Sequence, residues 1–591
     1  MKEDLSKGSI TGVSGPVVVA KTDFPVRMFE AVRIPGAKSP VTKSPAGLLG
    51  EVVRIRGREA DIQIYGDATG LSAGEEVLFT GELLSVDLGP GFLGEVLDGV
   101  GRPLRPRQGV AASRNEKLWR FEPSASEGDA VARGDVLGTV AEGSRFLHRI
   151  LVPPAFSSPE AVAWIAPEGD YALRDCVCRL ENGTELTLTQ RWPIRVPRPA
   201  KERLPLDRPL FTGQRALDTL FPMALGGAAA MPGGLGAGKT ALQRSLAKCC
   251  RADVVIYVGC GGRGGEIAEL LEEFSENVSE GLPLAERAAL VANTSNMPAA
   301  SRETSVYLGM TLAEYYRDMG YDAVVLVDSV SRWAEALREV GSRLGETPGA
   351  GGYPACLESR LSGCRQRAGQ VETLGAVSRR GSVSAIGTFS PEGGDLSEPA
   401  TQTGLRLSGA FWVLDKALAQ ARRFPAIDRR RSHSLYEEAL SEALTQEAGQ
   451  DWPELKEYLR DVLSRGEELA DAARFAGRKA FSETVLSDED KWLLFHAETL
   501  EIVYLRQDAR DACSPPARAA ALLRLLEALD DRVRRALREG LRYDDVVGVS
   551  MRPELIALRD LPDFTDKGRE WLERFSAELA ARPATDREAI Q

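Results

Sequence analysis

The feature that most constrains this chain is a glycine-rich loop near its middle. Residues 233–240 read GGLGAGKT and match the pattern G-x-x-x-x-G-K-[S/T] in full. The glycines let backbone N–H groups close around phosphate oxygens, where side chains would block the approach. The next residues, TALQRSLAKCC, have a helical pattern, and a helix N-terminus supplies further N–H donors. The loop therefore predicts an α/β nucleotide-binding domain and argues against a chance glycine-rich turn.

Two side chains of the loop have predicted roles. Lys239 would neutralise the β- and γ-phosphates, and Thr240 would place its hydroxyl on Mg²⁺. The predicted ligand is therefore ATP or ADP with Mg²⁺. The residues expected to contact the nucleotide here are Gly233, Gly234, Leu235, Gly236, Ala237, Gly238, Lys239, Thr240 and Ala241.

A second candidate for metal binding follows an apolar run. In DAVVLVDSVSRW, five apolar residues at positions 323–327 end in Asp328. A carboxylate at the carboxyl end of a buried strand beside a phosphate loop is where a Mg²⁺-bound water is held. The alternative is that Asp328 caps the following helix. Because of the upstream loop, we favour the metal-side role.

The patterning along the chain predicts several domains, since single hydrophobic cores stop growing at about 250–300 residues. Short β-rich runs near the start favour a small barrel, and a second β-rich stretch follows a Gly- and Pro-punctuated connector. Strand and helix patterns then alternate, and the last part has helical periodicity throughout. The predicted boundaries are 1–80 (N-terminal β-barrel), 81–110 (connector belonging to the nucleotide-binding domain), 111–190 (inserted β-rich domain), 191–430 (nucleotide-binding domain) and 431–591 (C-terminal helical bundle).

Charge and hydropathy exclude some partners. The net charge of -12 argues against a protein that coats nucleic acid or anionic lipid. The opening residues MKEDLSKGS have no apolar core of a signal peptide. The most apolar stretch, TLFPMALGGAAAMPGG, is interrupted and too short to span a bilayer. We therefore expect contact with a membrane only through other subunits.

The cysteines indicate the compartment. The eight cysteines form no C-x-x-C pair and only three histidines accompany them, so a zinc site is not expected. Scattered cysteines in a large acidic chain are typical of unpaired thiols in a reducing cytosol. The sequence therefore predicts free thiols, with Cys260 as a buried structural one.

Longer motifs extend well beyond the loop. The segments NTSNMPAASRE, DSVSRWAEALRE, SPEGGDLSEPATQ and RRFPAIDRRRSHSLY resemble the catalytic A subunits of V/A-type rotary ATPases, and the similarity covers nearly the whole chain. The resemblance implies a RecA-like P-loop domain and a "bulge" domain at 111–190, an insertion absent from B subunits and from F-type subunits. It also implies an alternating ring of three A and three B subunits with nucleotide at their interfaces. Central and peripheral stalks and a membrane rotor that moves H⁺ or Na⁺ would complete a cytoplasmic, membrane-peripheral sector.

The resemblance also assigns site residues. Gly238, Lys239 and Thr240 would hold phosphate and Mg²⁺, and Arg263 would contact the γ-phosphate. Phe424 of RRFPAID would pack against adenine, with ordinary core packing as the alternative. An arginine finger would come from the B subunit.

One position departs from the family at the centre of the reaction. The family reads G-E-R-G-N-E where this chain reads GGRGGE, so Gly262 replaces the glutamate that polarises the attacking water. Loss of such a group costs roughly 10²–10⁴ in rate, or about 3–5 kcal/mol. Glu266 matches the second glutamate of the motif. If a helix begins at Arg263, Glu266 would lie one turn on and either reach the site through a water or be structural, which we favour.

A second departure concerns the adenine pocket. The family has a phenylalanine in a QNAF-like stretch, and Arg510 stands at that place in RQDARDACS. An arginine stacks on a base as a cation over a π-face, or it is a solvated surface residue. The sequence leaves both interpretations open.

The functional hypothesis is an ATP-coupled rotary transport enzyme whose catalytic residues include Lys239, Arg263 and Glu266. The alternative is a nucleotide-binding but catalytically silent ring subunit, motivated by Gly262 and Arg510. A third interpretation is another RecA-like ring, such as a protein-export ATPase or an RNA translocase. The inserted domain and the acidic balance speak against that third class.

Overall fold

A computed structural model describes residues 6–35, 47–104, 114, 117–156, 158–274, 284–476, 486–508, 513–547, 551–561 and 563–581. The chain divides into two compact units. The first unit comprises Met1–Leu206, Leu225–Leu235 and Ala252–Phe411, and the second comprises Asp207–Ala224, Gly236–Arg251 and Trp412–Gln591. The predicted domain boundaries stay predictions.

The first unit begins with a closed β-barrel in the order β1-β2-β5-β4-β3-β6, with antiparallel neighbours. Its strands bury alternate apolar side chains, as a closed sheet with a filled interior requires. Val18, Val52 and Ile62 are fully buried in this core. The strands are β1 (Ser6–Ser14), β2 (Val17–Lys21), β3 (Glu30–Ile34), β4 (Leu48–Arg56), β5 (Glu59–Ile64) and β6 (Glu76–Leu83).

Two short strands, β7 (Ser85–Leu88) and β8 (Val96–Leu97), precede the predicted insertion. The insertion forms two antiparallel sheets, β12-β11-β9-β14 and β10-β13-β15-β16. They share one core that contains Phe121, Leu137 and Val177, so the insertion is a small sandwich. Its strands are β9 (Trp119–Pro123), β10 (Ala130–Val131), β11 (Val136–Glu142), β12 (Phe146–Leu151), β13 (Glu160–Ile165), β14 (Gly169–Tyr171), β15 (Cys176–Leu180) and β16 (Glu185–Thr187).

Strands and helices alternate through the next part of the chain, as the sequence predicts. In chain order they are β17 (Gln190–Pro193), β18 (Glu202–Leu204), β19 (Pro209–Leu210), α1 (Arg215–Leu220), β20 (Met223–Ala224), β21 (Ala228–Pro232), α2 (Lys239–Cys249), β22 (Val254–Gly262), α3 (Gly264–Phe274), β23 (Ala288–Thr294), α4 (Ala299–Asp318), β24 (Asp322–Asp328), α5 (Val330–Arg343), α6 (Leu357–Gln366), β25 (Gly369–Glu372), β26 (Arg380–Phe389), α7 (Pro399–Leu407), β27 (Ala410–Phe411), α8 (Lys416–Gln420) and β28 (His433–Ser434). Short 3₁₀ turns lie at Leu284–Glu286, Ala350–Gly352 and Glu392–Gly394.

The sheet of the first unit is mainly parallel, in the order β27-β21-β26-β24-β22-β23-β8. Its central strands are continuous apolar runs because helices α4 and α5 cover them. Gly259 of β22 lies beside Asp328 of β24, so the carboxyl ends of these strands meet at one edge. Ligands of open parallel sheets bind at this edge.

The inserted sandwich is fastened to α4 by a buried polar cluster. His148 Nδ1 lies 2.8 Å from a Glu142 oxygen, and His148 Nε2 lies 2.8 Å from the Tyr315 hydroxyl. Glu142 also accepts a 2.7 Å hydrogen bond from the Gly91 N–H. Burial opposes the charge on Glu142, but His148 and the backbone donors hold the pKa of its carboxyl below the usual value.

The second unit contains the C-terminal helices. They bury a common apolar face that includes Leu459, Trp492, Leu526 and Val533. The helices are α9 (Glu437–Ala448), α10 (Trp452–Ala476), α11 (Asp488–Thr499), α12 (Pro516–Arg538), α13 (Tyr543–Val547), α14 (Met551–Arg559) and α15 (Phe564–Ala580), with a π-helical turn at Leu500–Leu505. Across the described ranges, no helix combines the length and apolarity needed to cross a bilayer.

The prediction that all the thiols are unpaired is wrong. Cys249 at the end of α2 and Cys513 shortly before α12 form a disulfide, with their Cα atoms 5.1 Å apart. The two cysteines are separated by 264 positions, and only the folded second unit brings them together. Spacing along the sequence carries no signal for such a pair.

Candidate functional site

The glycine-rich loop begins where β21 ends at Pro232, and α2 begins at Lys239. The Gly233 N–H donates a 3.1 Å hydrogen bond to the Phe389 carbonyl at the end of β26. Gly236 and Gly238 have φ values of 82° and 86°, a conformation that residues with a side chain rarely adopt. The loop therefore needs glycine at these two positions.

The predicted phosphate-binding side chains stand at the start of α2. Gly238 is the N-cap residue of this helix and provides no side chain to cap it. Lys239 and Thr240 are the first two helical residues, and Lys239 is buried. The Leu235 side chain is 90% exposed, so an apolar group at this point of the loop has no core to enter. This strand–loop–helix order is the context that the motif requires.

Asp328 ends β24 with its carboxylate held by two hydroxyl groups. Thr388 Oγ1 donates to one oxygen at 3.0 Å, and the Tyr257 hydroxyl donates to the other at 3.3 Å. The N-cap of α5 is Ser329, whose side chain accepts a hydrogen bond from the Arg332 N–H. The helix-capping role that we considered for Asp328 therefore belongs to Ser329.

The segment at 262–266 connects β22 directly to α3. β22 ends at Gly262 and α3 begins at Gly264, one residue later than the sequence suggests. Glu266 turns back toward the start of this helix, and its carboxylate accepts a 3.1 Å hydrogen bond from the Arg263 N–H. Arg263 and Glu266 are both exposed. Glu266 thus acts locally as a cap for α3.

Arg332 and its partner Glu335 are among the residues near this end of the sheet that sequence reasoning missed. A Cβ atom on Gly261 would lie 2.9 Å from the Arg332 Cβ, so Arg332 packs directly on the strand end. Arg332 Nη1 donates to Glu335 at 2.8 Å. That hydrogen bond, more than the nearby charge of Glu266, raises the pKa of Arg332. The motif DSVSRW contains Arg332, but nothing in it shows that this residue faces Gly261.

Cys260 is a buried thiol, as predicted. Its side chain is fully buried, and burial raises its pKa to about 12. Its Sγ donates a weak 3.5 Å hydrogen bond to the Arg302 carbonyl. A thiol with this pKa is protonated at neutral pH and is a poor nucleophile.

Phe424 lies in the second unit, outside its apolar core. Its side chain is 40% exposed, and a Cβ on Gly238 would lie 3.2 Å from its Cε1 atom. It lines a cavity of about 700 Å³ whose apolar wall includes Leu418, Ile502 and Leu505. Small-molecule sites in proteins have volumes of about 300–1,000 Å³. The prediction for Arg510 falls outside the described residues.

The sequence-predicted residues are shared between the two units. Arg263, Glu266 and Asp328 belong to the first, and Lys239, Thr240 and Phe424 to the second. In the described part of the chain, no three His, Cys, Asp or Glu side chains are grouped so as to hold a metal ion.

Comparison with family models accounts for most of the chain. Residues 213–434 match the nucleotide-binding domain of the ATP synthase alpha/beta family. Residues 110–195 match the barrel-sandwich domain of ATP synthase alpha/beta subunits, and residues 10–81 match the β-barrel domain of the same family. The three matches follow the same order as the barrel, the sandwich and the parallel sheet.

Individual relatives are similar over nearly the full length. The A subunit of the A-type ATP synthase of Methanopyrus kandleri is 43% identical over 577 residues, covering 94% of this chain and 95% of the relative. The corresponding A subunit from Haloferax volcanii is 44% identical over 566 residues, covering 93% of each. Among solved structures, the assembled ATPase EscN of the enteropathogenic E. coli type III secretion system superposes with a TM-score of 0.61. At 21% identity, covering 88% of this chain and 99% of EscN, that likeness shows the fold alone.

Proposed function

Since this chain belongs to the family of A subunits of A-type ATP synthases, we propose that it binds Mg²⁺–ATP and Mg²⁺–ADP through residues 233–241 as the catalytic subunit of a rotary enzyme. The observation that carries this proposal is the loop itself. Two glycines with positive φ lead directly into α2, and Lys239 and Thr240 are its first residues. Backbone N–H groups, a helix N-terminus and a lysine suit a triphosphate.

The side chains available fit Mg²⁺ better than a softer metal. Mg²⁺ prefers oxygen ligands and is usually held by one or two protein side chains together with nucleotide phosphates. The Thr240 hydroxyl and the Asp328 carboxylate are donors of that kind. Thr388 and Tyr257 fix the orientation of the Asp328 carboxylate, as partners of a metal-side carboxylate commonly do. When bound, the ion would neutralise developing charge on the phosphates.

The proposed catalytic charges are those of Lys239 and Arg263. Phosphoryl transfer depends mainly on positioning and on charge stabilisation, and both cations serve that purpose. Gly262 leaves the chain without the usual carboxylate, and the Glu266 carboxylate is engaged by the Arg263 N–H. The missing carboxylate would therefore lower the rate of turnover more than the affinity for nucleotide.

Gly262 and the engaged Glu266 carboxylate favour a second candidate function, a ring subunit that binds nucleotide without hydrolysing it. The two functions share the loop and differ only at the attacking water. The rate of the assembled ring separates them, whereas nucleotide affinity does not.

The relatives are named as A subunits of A-type ATP synthases, and this supports a multisubunit assembly. We include in the proposal an alternating ring with B-type subunits, together with central and peripheral stalks, and coupling to H⁺ or Na⁺ movement through a separate membrane rotor. The arginine finger would come from the B-type subunit.

Equilibrium titration of the full chain with ATP tests the binding proposal. We expect Lys239→Gln to weaken ATP binding by at least tenfold, because one charge on the phosphates is lost. Lys248→Gln, in the last turn of the same helix, is the matched control and should stay within about twofold of wild type. Asp328→Asn should reduce only the Mg²⁺-dependent part of the affinity. Equal affinities of wild type and Lys239→Gln would refute the proposal.

A further inference from the structure

The segment at 422–431, here called the Phe424 loop, is held by ion pairs as well as by its buried residues Ala426 and Ile427. Glu501 contacts it on both sides of Phe424. Arg423 Nη1 donates to one Glu501 oxygen at 2.5 Å, and Arg429 Nη1 lies 2.7 Å from the other oxygen. Arg429 is also paired with Glu467. One carboxylate thus joins the residue before Phe424 to a residue five positions after it.

These pairs are only partly accessible to water. The side chains of Glu501 and Arg429 are 24% and 17% exposed, and that of Arg423 is 51% exposed. Ion pairs at full exposure contribute little because solvent screens them. The less exposed Glu501–Arg429 contact therefore restrains the loop more strongly than the Glu501–Arg423 contact does.

The chain around Glu501 meets the Phe424 loop a second time. Glu501 belongs to the π-helical turn Leu500–Leu505, and the Gln507 N–H donates a 2.9 Å hydrogen bond to the Phe424 carbonyl. The Gln507 side chain is fixed in turn: it accepts from the Arg215 N–H at 2.5 Å and donates to the Gly213 carbonyl at 3.0 Å. Single π-helical turns inside α-helices occur frequently at functional sites.

The position of Phe424 depends on these contacts together with backbone hydrogen bonds of the loop, in which the Arg423 N–H donates to the Leu418 carbonyl at 2.9 Å and the Asp428 N–H to the Val413 carbonyl at 2.8 Å. The Phe424 ring is not buried in the core, and it lies against Gly238, where a Cβ atom would be 3.2 Å from its Cε1. An exposed ring on a loop stacks on a ligand well only if the loop is already in place, since ordering it would otherwise cost affinity.

From this geometry we propose that Glu501 is a positioning residue for the nucleotide base. By holding Arg423 and Arg429, it keeps the Phe424 ring beside Gly238, ready to stack on the base. This inference rests on the proposed function, because it assumes that residues 233–241 bind a nucleotide. It adds a residue outside the glycine-rich loop and outside the proposed metal ligands.

A purely structural role for Glu501 makes a different prediction. Loss of a structural ion pair would lower stability and affect every ligand alike. Loss of a base-positioning residue affects only ligands that have a base. Inorganic tripolyphosphate has three phosphates, as ATP does, and lacks the nucleoside, so the ratio of its dissociation constant to that of ATP isolates the contribution of the ribose and base.

The experiment is equilibrium titration of the full chain with ATP and with tripolyphosphate, each with Mg²⁺. For Glu501→Gln we expect ATP binding to weaken roughly three- to tenfold, as it would if the competent loop position were populated about 10–30% of the time. Tripolyphosphate binding should stay within twofold of wild type. Arg423→Gln, a change at a half-exposed side chain, should shift the same ratio in the same direction.

The matched control is Asp451→Asn. It weakens another arginine–carboxylate pair of the second unit, with Arg524 at 2.5 Å, and does not touch the Phe424 loop. Both dissociation constants of this variant should equal those of wild type. A Glu501→Gln variant that weakens both ligands equally, or neither, would overturn the inference while leaving the proposed function standing. Failure of wild type to bind either ligand would overturn both, and equal affinity of wild type for the two ligands would overturn the inference alone.

Discussion

The disulfide between Cys249 and Cys513 should carry a measurable share of the stability of the second unit. The bond joins the last residue of α2 to the chain just before α12, in closely packed surroundings. A Cβ on Gly213 would lie 2.8 Å from the Cβ of Cys249, and the Gly213 carbonyl accepts a 2.9 Å hydrogen bond from the Ser514 N–H. Cys513→Ser removes the bond with little change in volume.

The expected magnitude follows from the length of the closed loop. With 264 positions between the cysteines, the chain-entropy relation gives about 5–6 kcal/mol at 25 °C. Measured disulfides typically contribute about 2–4 kcal/mol, because the unfolded chain is more compact than that relation assumes. We therefore expect Cys513→Ser to lower the free energy of unfolding of the second unit by about 2–5 kcal/mol.

Urea titration followed by tryptophan fluorescence measures the loss, with and without dithiothreitol. Reductant should lower the midpoint of wild type and leave that of Cys513→Ser unchanged. Cys356→Ser, at a half-buried free cysteine, is the control and should respond to reductant like wild type. Unfolding of reduced and oxidised wild type at the same urea concentration, or alkylation of both Cys249 and Cys513 in the unreduced chain, would refute the prediction.

Two further predictions concern buried charges. Arg195 bridges Glu51 at 2.7 Å and Glu303 at 2.6 Å. Arg195→Met removes the cation beside the buried Glu51 carboxylate, while Glu303 keeps its 2.6 Å ion pair with Arg360, and the change should cost about 3–5 kcal/mol in urea titrations. Lys201→Met, at an exposed ion pair, should cost less than about 1 kcal/mol, and equal losses would contradict the estimate. Burial lowers the pKa of His496 to about 4 in the folded chain, whereas in the unfolded chain the imidazole takes up a proton below about pH 6.5. The neutral buried imidazole therefore stabilises the fold above pH 6.5, and we expect the free energy of unfolding to fall by about 2 kcal/mol between pH 7 and pH 5. Urea titrations at the two pH values measure this loss, and His496→Gln should remove it.

What the sequence predicted well is local. The fold class was confirmed, from the barrel through the inserted sandwich and the parallel sheet to the helical end. The phosphate loop and its helix are contiguous, so glycine spacing and helical periodicity suffice to place Lys239 and Thr240. Asp328 was placed at a strand end because an apolar run stops there.

What the sequence did not predict depends on distant partners. Glu501 lies 78 positions from Arg423, and Thr388 lies 60 from Asp328. Neither pair leaves a periodic pattern, because each is created by tertiary packing. The same holds for the disulfide, where composition alone favoured free thiols. Glu266 illustrates a smaller failure: helix spacing gave its position, but not the turn of its carboxylate back onto the Arg263 N–H.

Mg²⁺–ATP hydrolysis by this chain, assembled with its own B-type subunit, is the decisive test of the proposed catalytic function. The natural ring, a ring with Gly262→Glu and a ring with Lys239→Gln are compared at saturating ATP. We expect measurable turnover by the natural ring, none with Lys239→Gln, and a rise of up to roughly 10²–10⁴ with Gly262→Glu, the usual effect of a positioned acid–base group. A natural ring that binds ATP but turns over only when Gly262→Glu is present would contradict the assignment as an enzyme.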